Sequence, residues 1–150
     1  MKIKSGLWVV VADGKRGLIL VNEGNALQPD LKTLRVYEQE NPKTSEQGRS
    51  KPPRAFQSVG ERRSSMASAD LHRRAEEKFV DQIINDLTKD ASANAFESIV
   101  IVAPPTAIGE MRKHSKSDAL NKRVLAWIDK DLTHHSIPDI TQAVAKVLES

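Results

Sequence analysis

Ile99-Val100-Ile101-Val102-Ala103-Pro104-Pro105 is the stretch on which the fold turns. Five consecutive aliphatic residues with no polar interruption read as a short strand covered on both faces, the pattern of a parallel or central strand. The proline pair removes two backbone donors and ends the run. Upstream, Leu71, Ala75, Phe79, Ile83 and Leu87 recur every four residues, with Val80 and Ile84 widening the stripe. That spacing predicts an amphipathic helix from about Ala69 to Lys89, capped by Ser68 or Asp70. Downstream, a short helix is expected through Gly109-Glu110-Met111-Arg112, then a strand over Val124–Ile128. A helix feeding a buried strand, followed by another helix and strand, implies a layered α/β architecture.

Working outward, Leu7–Ala12 and Gly17–Asn22 are aliphatic runs separated by Asp13-Gly14-Lys15-Arg16, which reads as a β-hairpin. A third strand is expected over Thr33–Gln39, with Leu34 and Val36 on one face and Arg35 and Tyr37 on the other, before Pro42 breaks the pattern. At the other end, Pro138 suits the first turn of a final helix in which Ile140, Ala143, Val144, Val147 and Leu148 share a face. Five strands and their helices in 150 residues are expected to form one domain. Without cysteine, a disulfide scaffold, a thiolate metal site and a cysteine nucleophile are all excluded. The apolar run after Met1-Lys2-Ile3-Lys4 is too short for a signal peptide or a membrane span, so a cytoplasmic protein with no membrane partner is expected.

Charge is distributed unevenly. Between Asn41 and Ala67, Lys43, Arg49, Lys51, Arg54, Arg62 and Arg63 face only Glu46 and Glu61, while the net charge of the whole chain is +3. The basicity therefore belongs to one segment, and the remainder is close to neutral. Three prolines, two glycines and five serines make this segment read as a long loop, and a loop of that length in a compact chain is either functional or unstructured. Arg49, Lys51, Arg54, Arg62 and Arg63 suit phosphate contacts, and Phe56 suits stacking on one unpaired base. The competing reading is a solvated surface loop. Only six aromatic residues occur in the chain, too few for several stacking platforms.

Three stretches together resemble a known family. They are Trp8–Asp13 leading into Arg16–Leu20; the long helix with His72 and Glu76, joined to Ile101–Pro105 and Ile108–Arg112; and Lys130-Asp131-Leu132-Thr133. In order and over nearly the whole chain, they are similar to the bacterial proteins described as required for attachment to host cells. Asp13, His72, Glu76, Pro104, Pro105, Gly109, Glu110, Arg112 and Asp131 carry the signature. That family is in turn similar to the middle domain of archaeal and eukaryotic peptide-release factors and of Pelota-type rescue factors. The resemblance implies a mixed five-stranded sheet flanked by helices, and RNA or the ribosome as partner. It also places the release factors' Gly-Gly-Gln loop at the basic segment, and this sequence has no Gly-Gly-Gln. Gln47 and Gln57 lack the paired glycines that would let the backbone approach a reacting ester, so the hydrolytic role is not carried over.

Other chemistries find less support. A nuclease would recruit Asp13, Asp129 and Asp131 as Mg²⁺ ligands if those strand ends converge, although Asp13-Gly14 is more simply a turn. His72, His114, His134 and His135 show no His-x-x-x-His spacing, so no metal site is expected. Ser58, Ser64, Ser65 and Ser68 lack the strand-turn-helix setting of a nucleophile. Pro104-Pro105-Thr106 opens a helix and offers a weak anion site, while Gly109–Arg112 suits packing and ion pairing. No nucleotide or redox cofactor pattern is present. The expected function is a non-catalytic RNA- or ribosome-binding factor, ahead of a protein-interaction factor supporting host attachment, and ahead of a metal-dependent nuclease or peptidyl-tRNA-type esterase.

Overall fold

In the computed structural model the backbone is described over residues 2–39 and 55–149, with side chains over 2–39 and 68–149. The elements run β1 (Trp8–Ala12), β2 (Arg16–Asn22), β3 (Leu31–Glu38), α1 (Ala55–Ser92), β4 (Ile99–Ala103), α2 (Pro105–His114), α3 (Asp118–Asn121), β5 (Val124–Asp129) and α4 (Ile137–Glu149). The five strands form one sheet in the order β3-β2-β1-β4-β5. Pairing is antiparallel between β1, β2 and β3, and parallel between β1, β4 and β5. The expected mixed sheet flanked by helices is what forms.

β1 and β4 are buried at every position because they are the central parallel pair and helices cover both faces. On one face Trp8, Val10, Ile99 and Ile101 pack with Phe79, Ile83 and Leu87 of α1 and with Ile108 and Met111 of α2. On the other, Val9, Val11, Val100 and Val102 pack with Ile140, Val144 and Leu148 of α4. Alternation along each strand thus divides one aliphatic run between two cores. No helix among the described residues is long and apolar enough to cross a membrane.

Two expectations change. The long helix begins at Ala55, well before Ala69, so the second half of the segment read as loop is helical backbone. After Pro52-Pro53 no proline occurs until Pro104, and serine costs a helix only about half a kcal/mol per residue, so serine content was a poor reason to end it. Leu71, read as part of the buried stripe, is 47% exposed; among the described residues of α1, burial of the large apolar side chains begins at Phe79.

On edge strand β3, Arg35 and Tyr37 face the long helix while Leu34 and Val36 face out; only Leu31, at its start, is buried. Arg35 Nη1 donates to Asp90 Oδ2 at 2.9 Å and to the Tyr37 hydroxyl at 3.0 Å, and that hydroxyl donates to Asp86 Oδ2 at 2.7 Å. The Arg35 guanidinium also lies 5.9 Å from the Trp8 ring centre. Burial, the largest influence, pushes the Tyr37 phenol up to about 12. Leu34 and Val36 meanwhile stay exposed on the opposite face.

Candidate functional site at the switch point of the sheet

The parallel strands β1, β4 and β5 end on the same side of the sheet. From β1 the chain turns to β2 on one side, whereas from β4 it crosses to β5 on the other. Between two such strand ends a crevice opens, and in α/β sheets this is where ligands bind. Here it is a cleft of about 340 Å³ bounded by Asp13, Gly14 and Lys15 of the β1–β2 turn, Arg73, Glu76, Glu77 and Val80 of α1, and Pro104, Thr106, Ala107 and Glu110 around the start of α2. A larger cavity of about 670 Å³ opens at the opposite end of the parallel strands, beside Lys2, Lys4 and Arg123. Its arginine is already committed, donating to Phe96 O, Ala119 O and Asn94 Oδ1. Strand topology and signature residues both favour the smaller cleft.

Each wall has a local cause. Asp13 Oδ1 accepts from the amides of Lys15 and Arg16, both at 2.7 Å, closing an Asx-type turn that ends β1. Gly14 leaves room for the Glu76 side chain of α1: a Cβ there would lie 2.5 Å from Glu76 Oε2. Gln39 ties the end of β3 to the same turn through Gly14 O at 2.9 Å. Opposite, Pro104 is the extended residue before α2 and Pro105 occupies its first turn, so the helix starts without a side-chain cap. Four carboxylates, Asp13, Glu76, Glu77 and Glu110, face Lys15 and Arg73, leaving the cleft acidic.

Asp13, Glu76, Pro104 and Glu110 of the nine signature residues line this cleft. Asp131 reaches its edge through Thr133, whose hydroxyl lies 2.8 Å from Asp131 Oδ1 and 3.1 Å from Asp13 Oδ2. The Thr133 hydrogen bond is the main cause holding the Asp131 carboxyl below its ordinary value. Pro105 opens α2 beside the cleft. Arg112 instead lies over the Trp127 ring, 5.6 Å from its centre, and His72 is exposed with Nδ1 2.7 Å from Ser68 O. Gly109 is exposed, and a Cβ there would meet nothing.

Asp13, Asp129 and Asp131 do not assemble as three metal donors. Asp13 is held by its own turn, the contact between Asp13 and Asp131 runs through Thr133, and the donor set that converges lies elsewhere. It comprises Asp81, Glu110 and His114, whose donor atoms all lie within 4.8 Å of one another. Burial is the main cause pushing the Asp81 carboxyl up to about 6, Glu110 adds to it, and the His114 charge opposes it. Histidine spacing alone misses this group because only one histidine takes part. The usable signal was Glu110-x-x-x-His114, one helical turn on a single face, and nothing local connects it to Asp81 on α1.

Of the residues expected to contact nucleic acid, Arg49, Lys51 and Arg54 lie outside the described residues, while Phe56, Arg62 and Arg63 lie within the helical span of α1. The described helix immediately following, from Ser68 to Arg74, is exposed throughout.

The chain belongs to the bacterial archaeo-eukaryotic release factor family 12, which it matches over residues 6–144. The match spans every strand and ends within α4, so it covers the whole sheet, the cleft and the basic segment. It establishes the release-factor side of the resemblance read from the sequence. No curated protein matched the chain.

Proposed function

We propose that this protein is a non-hydrolytic RNA-binding factor of the release-factor group, acting at the ribosome through the basic segment 41–67 at the head of α1. The observation that carries the reading is the partition of charge. The cleft is lined by four carboxylates against two cations, which disfavours a phosphate backbone, whereas six of the basic residues stand together in one segment with two acidic ones. A helix of 38 residues is about 57 Å long at 1.5 Å per residue. Its exposed turns before Phe79 present Arg73, Arg74 and Lys78 to solvent beyond the basic segment. Without Gly-Gly-Gln, no group in the sequence corresponds to the one that release factors bring to the peptidyl ester.

The test is binding to ribosomes and to short structured RNA across a salt series, comparing the wild type with Arg49, Arg54, Arg62 and Arg63 all replaced by Glu. Wild type should bind with a steep salt dependence, and loss of the phosphate contacts made by four arginines should flatten the log–log slope by about 3. If neither protein binds at low salt, the translation-linked reading fails. The exposed Leu34 and Val36 on β3 then favour a protein partner, with any role in host attachment exerted through that partner.

A further inference from the structure

We infer that Asp81, Glu110 and His114 form a binding site for a divalent transition-metal cation where α1 and α2 meet beside the cleft. Glu110 and His114 stand one turn apart on α2, and Asp81 approaches from α1. His114 Nε2 lies 2.7 Å from Glu110 Oε2 and 3.2 Å from Asp81 Oδ1. Ligands bound at about 2.1 Å in tetrahedral or octahedral geometry are separated by about 3 to 3.5 Å along each edge. The His114–Asp81 separation falls in that range, the His114–Glu110 separation is slightly shorter, and all three donor atoms lie within 4.8 Å of one another, so small side-chain shifts would let them share one ion.

A second observation comes from the carboxylate on α1. Asp81 Oδ1 is the one buried side-chain polar atom among the described residues that no hydrogen bond reaches. An unsatisfied buried oxygen is destabilising, and this one lies among the two other donors instead of in solvent. The His114 contact falls within ion-pair range of this oxygen without supplying a hydrogen bond. A cation held between the three groups would satisfy it and neutralise the two carboxylates.

The donor set selects the class of ion. One imidazole with two carboxylates suits Zn²⁺, Mn²⁺ or Fe²⁺ better than Mg²⁺ or Ca²⁺, which prefer oxygen ligands alone. Three protein donors leave at least one coordination position open. The side chains of Glu110, Asp81 and His114 are 15%, 26% and 40% exposed, so solvent has access through His114, while Glu110 also lines the cleft. A ligand in the cleft could occupy the open position, which accounts for an acidic cleft in a protein whose net charge is positive.

The inference is independent of RNA binding and is tested without it. Chelator-stripped full-length protein is titrated with ZnCl₂ by calorimetry at pH 7.5, and its histidine ring nitrogens are followed by long-range ¹H–¹⁵N spectroscopy. The expected result is one equivalent bound, with the ring signals of His114 moving and those of His72, His134 and His135 staying in place. Asp81→Asn and His114→Gln should each weaken Zn²⁺ binding at least about tenfold, the order expected when a group that holds the metal site together is lost. Unchanged circular dichroism establishes that each variant folds; should one fail to fold, the wild-type ring signals still decide. No binding at about 0.5 mM Zn²⁺, movement confined to His134 and His135, or unchanged affinity in folded Asp81→Asn would overturn the site and leave a histidine–carboxylate ion-pair cluster.

Discussion

Two stretches of α1, Ser68–Arg74 and Phe79–Ala91, belong to one continuous helix but lie in opposite environments. From Phe79 to Ala91 its apolar stripe is in the core, with Ile83, Ile84 and Leu87 wholly buried. From Ser68 to Arg74 every residue is exposed, including Leu71 at the same four-residue spacing. Periodicity marks a helix, but only a surface to pack against makes the stripe a core. The fold is therefore anchored by the turns from Phe79 onward, while Ser68–Arg74 contribute no buried side chain to it.

The largest effect should follow from breaking the buried stretch. Leu87→Ala removes a wholly buried side chain and is expected to cost about 3 kcal/mol, whereas Leu71→Ala should stay within about 0.5 kcal/mol, both read from urea unfolding. A similar loss in both variants would mean that Leu71 packs against something in solution. The arginine reversal sharpens the contrast from the other side: it should weaken RNA binding and flatten its salt dependence while leaving the urea midpoint nearly unchanged, because the four positions precede Phe79 in the sequence.

A smaller effect is expected at the far end of the packed stretch, where Tyr37 and Arg35 clamp β3 to Asp86 and Asp90. Tyr37→Phe should destabilise by about 1 kcal/mol through loss of one hydrogen bond. Tyr37 is the sole tyrosine, so absorbance at the phenolate band reports it directly, with a midpoint near 12 instead of 10. Because the folded value is raised above the unfolded one, its contribution is fully present below about pH 10 and is lost as the pH rises through about 12. A midpoint of 10 in folded protein would show that the clamp is open in solution.

The smallest effect carries information about the signature. Gly109 sits inside α2 with open space around its Cα, so Gly109→Ala should raise stability by about 0.5–1 kcal/mol. If stability rises and ribosome or RNA binding falls, the glycine keeps that face of α2 clear for a partner. If both stay at or above wild type, its place in the signature has no role in binding.

Much of the fold was legible from local pattern. Ile99–Ala103 had to be a covered strand, and Pro104-Pro105 had to end it, because an uninterrupted aliphatic run has no face to offer water. The start of α1 was not legible, since Ser58, Ser64 and Ser65 and the charges around them made helical sequence look like loop. The site was legible in part. The signature singled out Asp13, Glu76, Pro104 and Glu110, which line the cleft, but gave no means of knowing that they share one. It also included Arg112, which rests on Trp127, while nothing in it marked Asp81.

The sequence by itself determined where the strands and the core-facing turns of the helices run, though not where α1 begins, and which segment holds the charge. Backbone hydrogen bonding and one-sided burial impose their periods on neighbouring residues, and net charge is additive along a chain. Tertiary structure alone decided that Arg35 and Tyr37, not Leu34 and Val36, face the long helix. It alone joined Asp13 to Asp131 through Thr133 and brought Asp81 to Glu110 and His114. The first meeting follows from the ends of β1 and β5 lying on one side of the sheet and the second from α1 packing on α2, a geometry set by packing between elements far apart in sequence and left unmarked by the spacing within any one of them.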